Sequence, residues 1–264
     1  RGNSEKSIYL SNNGTLQGYN VETFAPSEVS LDGPTYVEEG DSIQTAIRVA
    51  AKNAEIEVGS GTYQENVVVN KSLTLKGAQS GINPVSDNSR GADESMIDGV
   101  TREAITVKAG NVEINGFSFT ISKNDNGIIL NNDGDISETN RSKDAGVAVT
   151  PGVSNATITN NIVRDISDGD NDTSDTATYG ILTWGDPSNI EIKNNLVTNV
   201  EEFGISINDN SSDVTVEGNK VVDILPASRG DAPPVELQSG SSELTNVGIA
   251  LALGGSAVPQ DVSI

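Results

Sequence analysis

Apolar and polar residues alternate in short runs, and the runs come in pairs that repeat. One pair reads Gly180-Ile-Leu-Thr-Trp184, then Asn189-Ile-Glu-Ile-Lys-Asn-Asn195-Leu-Val197. The next reads Gly204-Ile-Ser-Ile-Asn208, then Asp213-Val-Thr-Val-Glu-Gly-Asn219-Lys-Val221. The offset is 24 residues, from 204 − 180 and again from 219 − 195. Earlier copies begin at Ala104 and Gly146, and a late one runs from Gly248 to Ile264. Each half reads as a strand of three or four residues with alternating faces, such as Val214 and Val216 inward and Thr215 outward. The Gly that opens the first run marks one corner. The Asn or Asp that opens the second run tolerates left-handed backbone and suits a tight turn. Asn160-Asn161, Asn194-Asn195 and Gly218-Asn219 mark a further corner, where stacked Asn side chains would form a hydrogen-bonded ladder. Strands this short cannot bury a face alone, but stacked turns of chain can share one apolar column. The pattern predicts an all-β fold, a right-handed parallel β-helix (solenoid). A β-sandwich is the alternative, and the sharing of both corners by five copies argues against it.

The periodicity changes near the start of the solenoid. Asp41-Ser-Ile-Gln44 has the form of a capping box, and Ile43, Ala46, Ile47 and Ala50 follow at helical spacing. An N-terminal capping α-helix is predicted from Ser42 to about Lys52, laid over the open end of the column. Strands are predicted at Ala54–Val58, Glu65–Val69 and Ser72–Leu75.

These residues carry a family resemblance. Asp41 to Gly77, with Ser42-Ile-Gln-Thr-Ala-Ile47 and Ile56-Glu-Val-Gly-Ser-Gly-Thr-Tyr63, resembles the opening of pectin-lyase-like β-helix proteins. Gly81-Ile-Asn-Pro84 and Met96-Ile-Asp98-Gly99 fit it too, and the later repeats resemble parallel β-helix repeats. The resemblance covers about residues 36 to 264. It implies the fold; on function it leaves lyases, hydrolases, esterases, adhesins and tailspikes open.

Residues 1–38 do not fit the repeat and are expected to form an N-terminal extension. Ser7-Ile-Tyr-Leu10 and Tyr19-Asn-Val-Glu-Thr-Phe24 could add strands to a coil edge or to another copy. The solenoid is expected over residues 39–264, with insertions near 168–177 and 226–246. Because residue 264 falls within a coil, continuation of the chain or cover by another subunit is expected there.

Composition narrows the chemistry. The chain has 264 residues, no Cys and no His, with 16 basic and 38 acidic residues for a net charge of −22. Disulfides, thiolate nucleophiles, Ser-His-Asp triads and zinc sites are excluded or implausible. Such a charge repels nucleic acid, and no apolar run approaches the ~20 residues of a membrane span. The carboxylates are spread along the whole chain. That favours a solvated surface adapted to high salt, as in a halophile, over one cation site.

Four candidate sites follow. Asp168, Asp170, Asp172 and Asp175 alternate in the first insertion and could hold Ca²⁺; an acidic solvated loop is the alternative. Arg164 with Asp165, Asp168 and Asp170 could serve a Ca²⁺-dependent lyase or form a surface ion pair. Asp186, Glu191, Asp209 and Asp213 could supply paired carboxylates for glycoside hydrolysis. Trp184, beside Tyr179 and Asp186, could stack on a sugar or cover the column. The Arg229-Gly-Asp231 tripeptide is discounted as a chance occurrence, while the sequons at Asn13, Asn70, Asn140, Asn155, Asn171 and Asn210, several of which arise by chance in such a chain, add slight support for a glycosylated exterior protein. Together these features predict an extracellular or cell-surface module, non-catalytic, with a structural, filament-forming or adhesive role. Its expected partners are a polysaccharide or surface glycan, or further copies bound through residues 1–38 or the last coil. The alternative is a polysaccharide-active enzyme with a groove between the two insertions.

Overall fold

The structure, a computed structural model, describes residues 35–86, 90–100, 103–121, 144–167, 178–208 and 210–225. It also describes the strands Tyr9–Leu10, Leu16–Gln17, Val247–Ala252 and Gln260–Ser263. The chain winds through three sheets, laying one strand in each per turn. The first three turns are Ala54–Val58, Gly61–Gln64, Val67–Val69; Leu73–Lys76, Ser95–Gly99, Glu103–Val107; and Val112–Asn115, Phe117–Ile121, Asp144–Val149. The next three are Ser154–Thr159, Ile162–Ile166, Thr178–Thr183; Ser188–Lys193, Leu196–Glu201, Phe203–Asn208; and Ser212–Glu217, Lys220–Leu225, Val247–Ala252. Neighbouring turns pair in parallel, for example Ile190 with Val214 and Ile205 with Ile249. The second and third sheets have six strands each. The first has ten, because Gln260–Ser263, Thr35–Val37 and the antiparallel pair Tyr9–Leu10 and Leu16–Gln17 extend it. Tyr19–Phe24 lies outside the described residues. Among the described residues no helix is long and apolar enough to cross a membrane.

The shared column is dry. Ile190, Ile192, Val214 and Val216, predicted to point inward, are at most 2% exposed. Each such side chain contributes roughly 1.5–3 kcal/mol of gross burial. The sequence pattern suggests two strands per repeat, whereas the structure has three. The second-sheet strand escapes simple alternation because a left-handed residue interrupts it: Asp165, Asn199 and Asp223 have φ of 55°, 53° and 53°. Val197 and Val200, three apart, therefore both face the column and are fully buried. Of the eleven described non-glycine residues with positive φ, ten are Asn or Asp. These side chains tolerate that geometry, which makes the exception, Glu202 (φ 62°), a residue to explain.

The Asn corner matches expectation. Asn161 Nδ2 donates to Asn195 Oδ1 (3.1 Å), and Asn195 Nδ2 to Asn219 Oδ1 (2.9 Å). Each Nδ2 also donates to a carbonyl, of Ile114, Ile158 and Ile192 in turn. In the turn before, Phe117 takes the ladder position, and its N–H donates to Asn161 Oδ1. The Gly corner needs correction. Gly146, Gly180 and Gly204 lie inside third-sheet strands and not at a turn. A Cβ on Gly180 would sit 2.4 Å from the Gly204 carbonyl oxygen and 2.5 Å from Val197 Cγ1. Close approach between sheets excludes a side chain there.

The capping helix spans Ile43–Val49, shorter than predicted, since Ala50 is already extended. Ser42, not Asp41, is its N-cap. The expected return contact from Gln44 is replaced by Glu65, whose carboxylate accepts from Ile43 N–H (2.7 Å) and Gln44 N–H (3.2 Å). The Gln44 side chain is thereby released. It donates to Val68 O (3.2 Å) and accepts from Val68 N–H (2.7 Å), satisfying the edge strand of the third sheet. In the second turn the segment between Lys76 and Ser95 is pinned by Arg90, which makes five hydrogen bonds: two to Glu94 and three to the carbonyls of Ile82, Phe117 and Asn160.

Candidate functional site

The outer sides of the three sheets differ. On the first sheet, outward positions such as Glu113, Thr157 and Glu191 are half-buried and polar. On the third sheet Thr178–Thr183 and Phe203–Asn208 are buried at every position, on both faces. The outward side chains there form a second apolar cluster, separate from the column: Ala145, Ala148, Tyr179, Leu182 and Phe203, with Trp184 packed against it. Tyr179 and Phe203 occupy the same register on adjacent rungs. Their rings stack with centroids 5.2 Å apart and 17° between planes. The glycine column makes this cluster possible. With Gly180 in the strand, Tyr179 and Leu182 both belong to the outer cluster, while Ile181 belongs to the column.

At one end of this face stand Glu201 and Glu202, 9% and 7% exposed. Glu202 Oε2 accepts from the Thr178 N–H at 2.8 Å. That bond helps account for its left-handed backbone: the turn from Glu201 to Phe203 is a single residue, and its carboxylate ties two rungs together. The long connections between these two sheets join the third sheet at this same end. The chain from Ile121 to Asp144, from Ile166 to Thr178 and from Leu225 to Val247 in each case leaves the second sheet and enters the third. At the opposite end is a closed polar network. Ser206 Oγ donates to Asn208 Oδ1 (2.8 Å), Ser211 Oγ to the Asn208 carbonyl (2.7 Å), and Thr183 and Ser211 hydroxyls pair at 3.1 Å. Beyond Trp184 the chain turns at Gly185 (φ 76°), where a Cβ would meet the Pro151 ring at 2.4 Å.

The predicted site residues separate on this frame. Tyr179 and Trp184 border the same cluster, but Tyr179 is only 8% exposed and stacks on Phe203. Asp186 is exposed on the following turn and accepts from Asn210 Nδ2 at 2.9 Å. Asp168, Asp170, Asp172 and Asp175 lie outside the described residues, as does Asp209. Among the described residues no group of three or more acidic side chains is placed to hold a metal. Arg164 lies 3.8 Å from Asp165. Glu191 is engaged by Lys193 at 2.8 Å and registers with Thr157 and Thr215, while Asp213 sits at a corner with φ 52°. These two carboxylates therefore do not face each other across adjacent rungs. The residues that sequence reasoning missed are Phe203, Leu182, Glu201 and Glu202. The first was legible: Ala145, Tyr179 and Phe203 each precede a glycine of the repeat.

Residues 103–257 match the family described as the right handed beta helix region. No curated protein and no solved structure matches the chain. The match covers more than half of the chain and agrees with the three-sheet winding, so this protein belongs to the right-handed β-helix family.

Proposed function

We propose that the chain is an exported or cell-surface recognition module, non-catalytic and adhesive, in which the stacked rungs act as a rigid mast. One observation carries this reading: the three long connections all enter the third sheet at the same strand ends, beside the stacked rings of Tyr179 and Phe203, with Trp184 packed against the same outer cluster at the far end of the strand. Loops held by a rigid scaffold are where solenoids bind partners. A glycan is the ligand this chemistry favours, with Trp184 stacking and Asp186 accepting hydroxyls. Asp168, Asp170, Asp172 and Asp175 would add Ca²⁺ to the second connection. The charge of −22 suits work in high salt. The test is a glycan-array screen in molar salt, with and without Ca²⁺, repeated with Trp184→Ala. The expected result is retention of a neutral glycan, weakened about tenfold or more by the substitution. An array silent under both conditions, or binding indifferent to Trp184→Ala, would overturn it.

A second reading rests on Glu201 and Glu202. Two nearly buried carboxylates, one of them on a strained left-handed backbone, beside the strand ends that the long connections join are the kind of arrangement that active sites hold. New reducing ends released from the retained glycan, and abolished by Glu202→Gln, would make the chain a glycoside hydrolase.

A further inference from the structure

The outer side of the second sheet departs from the rest of this acidic molecule. One outward column runs Met96, Ser118, Ile162, Leu196, Lys220 through successive rungs. The neighbouring column includes Asp98, Thr120, Arg164, Thr198 and Val222. Their inward neighbours Ile97, Phe119, Val163 and Val197 are fully buried, which fixes the orientation. Met96, Ile162, Leu196 and Val222 are half-buried, leaving apolar surface open to water. Among the described residues the only carboxylate in these two columns is Asp98, 6% exposed, while Asp165 and Asp223 stand exposed at the left-handed positions of the same strands. The first sheet, by contrast, turns Glu55, Glu57, Glu113, Glu191 and Glu217 outward. In a chain with 38 acidic residues, a face that sets half-buried aliphatic groups and the cations Arg164 and Lys220 beside a few exposed carboxylates is out of character.

Arg164 strengthens the contrast. Among the described residues its guanidinium makes only the 3.8 Å contact with Asp165, and its Nε is buried without a hydrogen-bond partner. Arg90, used for structure, makes five hydrogen bonds. The rest of the guanidinium remains open to a further carboxylate, since the Arg164 side chain is 41% exposed. Such carboxylates stand at the rim of the same face: Asp165 and Asp223 are exposed at its corner.

We infer that this face is a self-association surface, on which a second copy of the chain docks through its own second sheet. A two-fold axis along the strand direction lays each outward column on its copy and brings each Arg164 alongside the exposed Asp165 and Asp223 of the other molecule, an isologous contact. With four half-buried aliphatic side chains per copy, the contact is small beside the ~800 Å² per partner of a stable interface, so the dimer is weak and concentration-dependent. Repulsion between two copies of charge −22 opposes it in dilute buffer. At molar salt the Debye length falls to about 3 Å, so association strengthens with salt. This inference is independent of the glycan reading, which concerns the third sheet.

Sedimentation equilibrium of the full chain tests it, in dilute and in molar NaCl, from about 10 µM to about 1 mM protein. The weight-average mass should climb above that of the monomer with concentration, more steeply in molar salt. Leu196→Lys and Arg164→Glu should hold it at the monomer, while Thr215→Lys on the first sheet should behave as the parent. Circular dichroism confirms that each variant is folded; both sites are partly solvent-exposed, and either variant alone suffices. A monomer at every concentration and salt overturns the inference. So does association that survives in the folded Leu196→Lys or Arg164→Glu variant.

Discussion

The first and third sheets are built on the same rungs and share one interior, yet their outer sides obey opposite rules. Outward on the first sheet, one column reads Glu55, Thr74, Glu113, Thr157, Glu191, Thr215 from rung to rung. Every second residue is acidic, and Glu55 and Glu191 are paired with Lys76 and Lys193 at 2.6 and 2.8 Å. Outward on the third sheet, Tyr179 lies on Phe203 and Leu182 beside Ser206, all buried. The inside of a rung is dictated by the need for a dry column. The outside is free to vary, so it records what each side is for: water on the first sheet, packed matter on the third.

The contrast can be broken by substitution. Phe203→Ala should cost about 3–5 kcal/mol, because it empties a buried ring position and unstacks Tyr179. The equivalent change on the first sheet, Thr215→Ala, should stay within about 0.5 kcal/mol. Urea unfolding at fixed salt gives both numbers, and similar losses for the two would mean that the third sheet's outer face is not a packed layer. Gly180→Ala should have the next largest effect, about 1–3 kcal/mol, since its methyl must displace Val197 or the Gly204 carbonyl. Gly152 is the opposite case: it has a left-handed backbone (φ 75°) on an open turn, with nothing within 4 Å of where a Cβ would stand. A loss at Gly180 is therefore one of packing between sheets and not of backbone conformation. A Gly180→Ala chain as stable as the parent would show that the glycine column is dispensable.

Some of this architecture is legible in the sequence and some is not, for physical reasons. Ile190 and Ile192 announce their strand because nothing interrupts their alternation. Val197 and Val200 do not, because Asn199 flips the backbone between them, and a two-residue period cannot see a strand with a left-handed residue inside it. The Asn ladder is legible because Asn161, Asn195 and Asn219 must stack to satisfy one another. The repeated glycines stand out, but their place does not, since a glycine required by close approach looks like one required by a turn. At the site, Trp184 and Tyr179 stand out by residue type. Glu202 does not, since one acidic residue among 38 carries no signal until its backbone and burial are known. The helix shows the same limit: a capping box is read from neighbours in sequence, but Glu65, more than twenty residues away, makes the contacts.

The smallest predicted effect isolates charge from packing. Adjacent rungs lie about 4.8 Å apart, so carboxylates on alternate rungs are about 9.6 Å apart. Thr157→Glu would place three carboxylates, at 113, 157 and 191, on successive rungs of the first sheet. Like charges directly opposite one another in a sheet are destabilising. At a solvated surface the expected loss is roughly 0.5–1 kcal/mol in dilute buffer. In molar salt the Debye length, about 3 Å, becomes shorter than the rung spacing. The penalty should therefore vanish there, while Thr157→Gln, of similar shape, should show no salt dependence relative to the parent. Melting temperatures across a NaCl series measure this directly. A Thr157→Glu penalty that persists undiminished in molar salt would mean that side-chain packing, not repulsion, sets the alternation of Glu and Thr along the column.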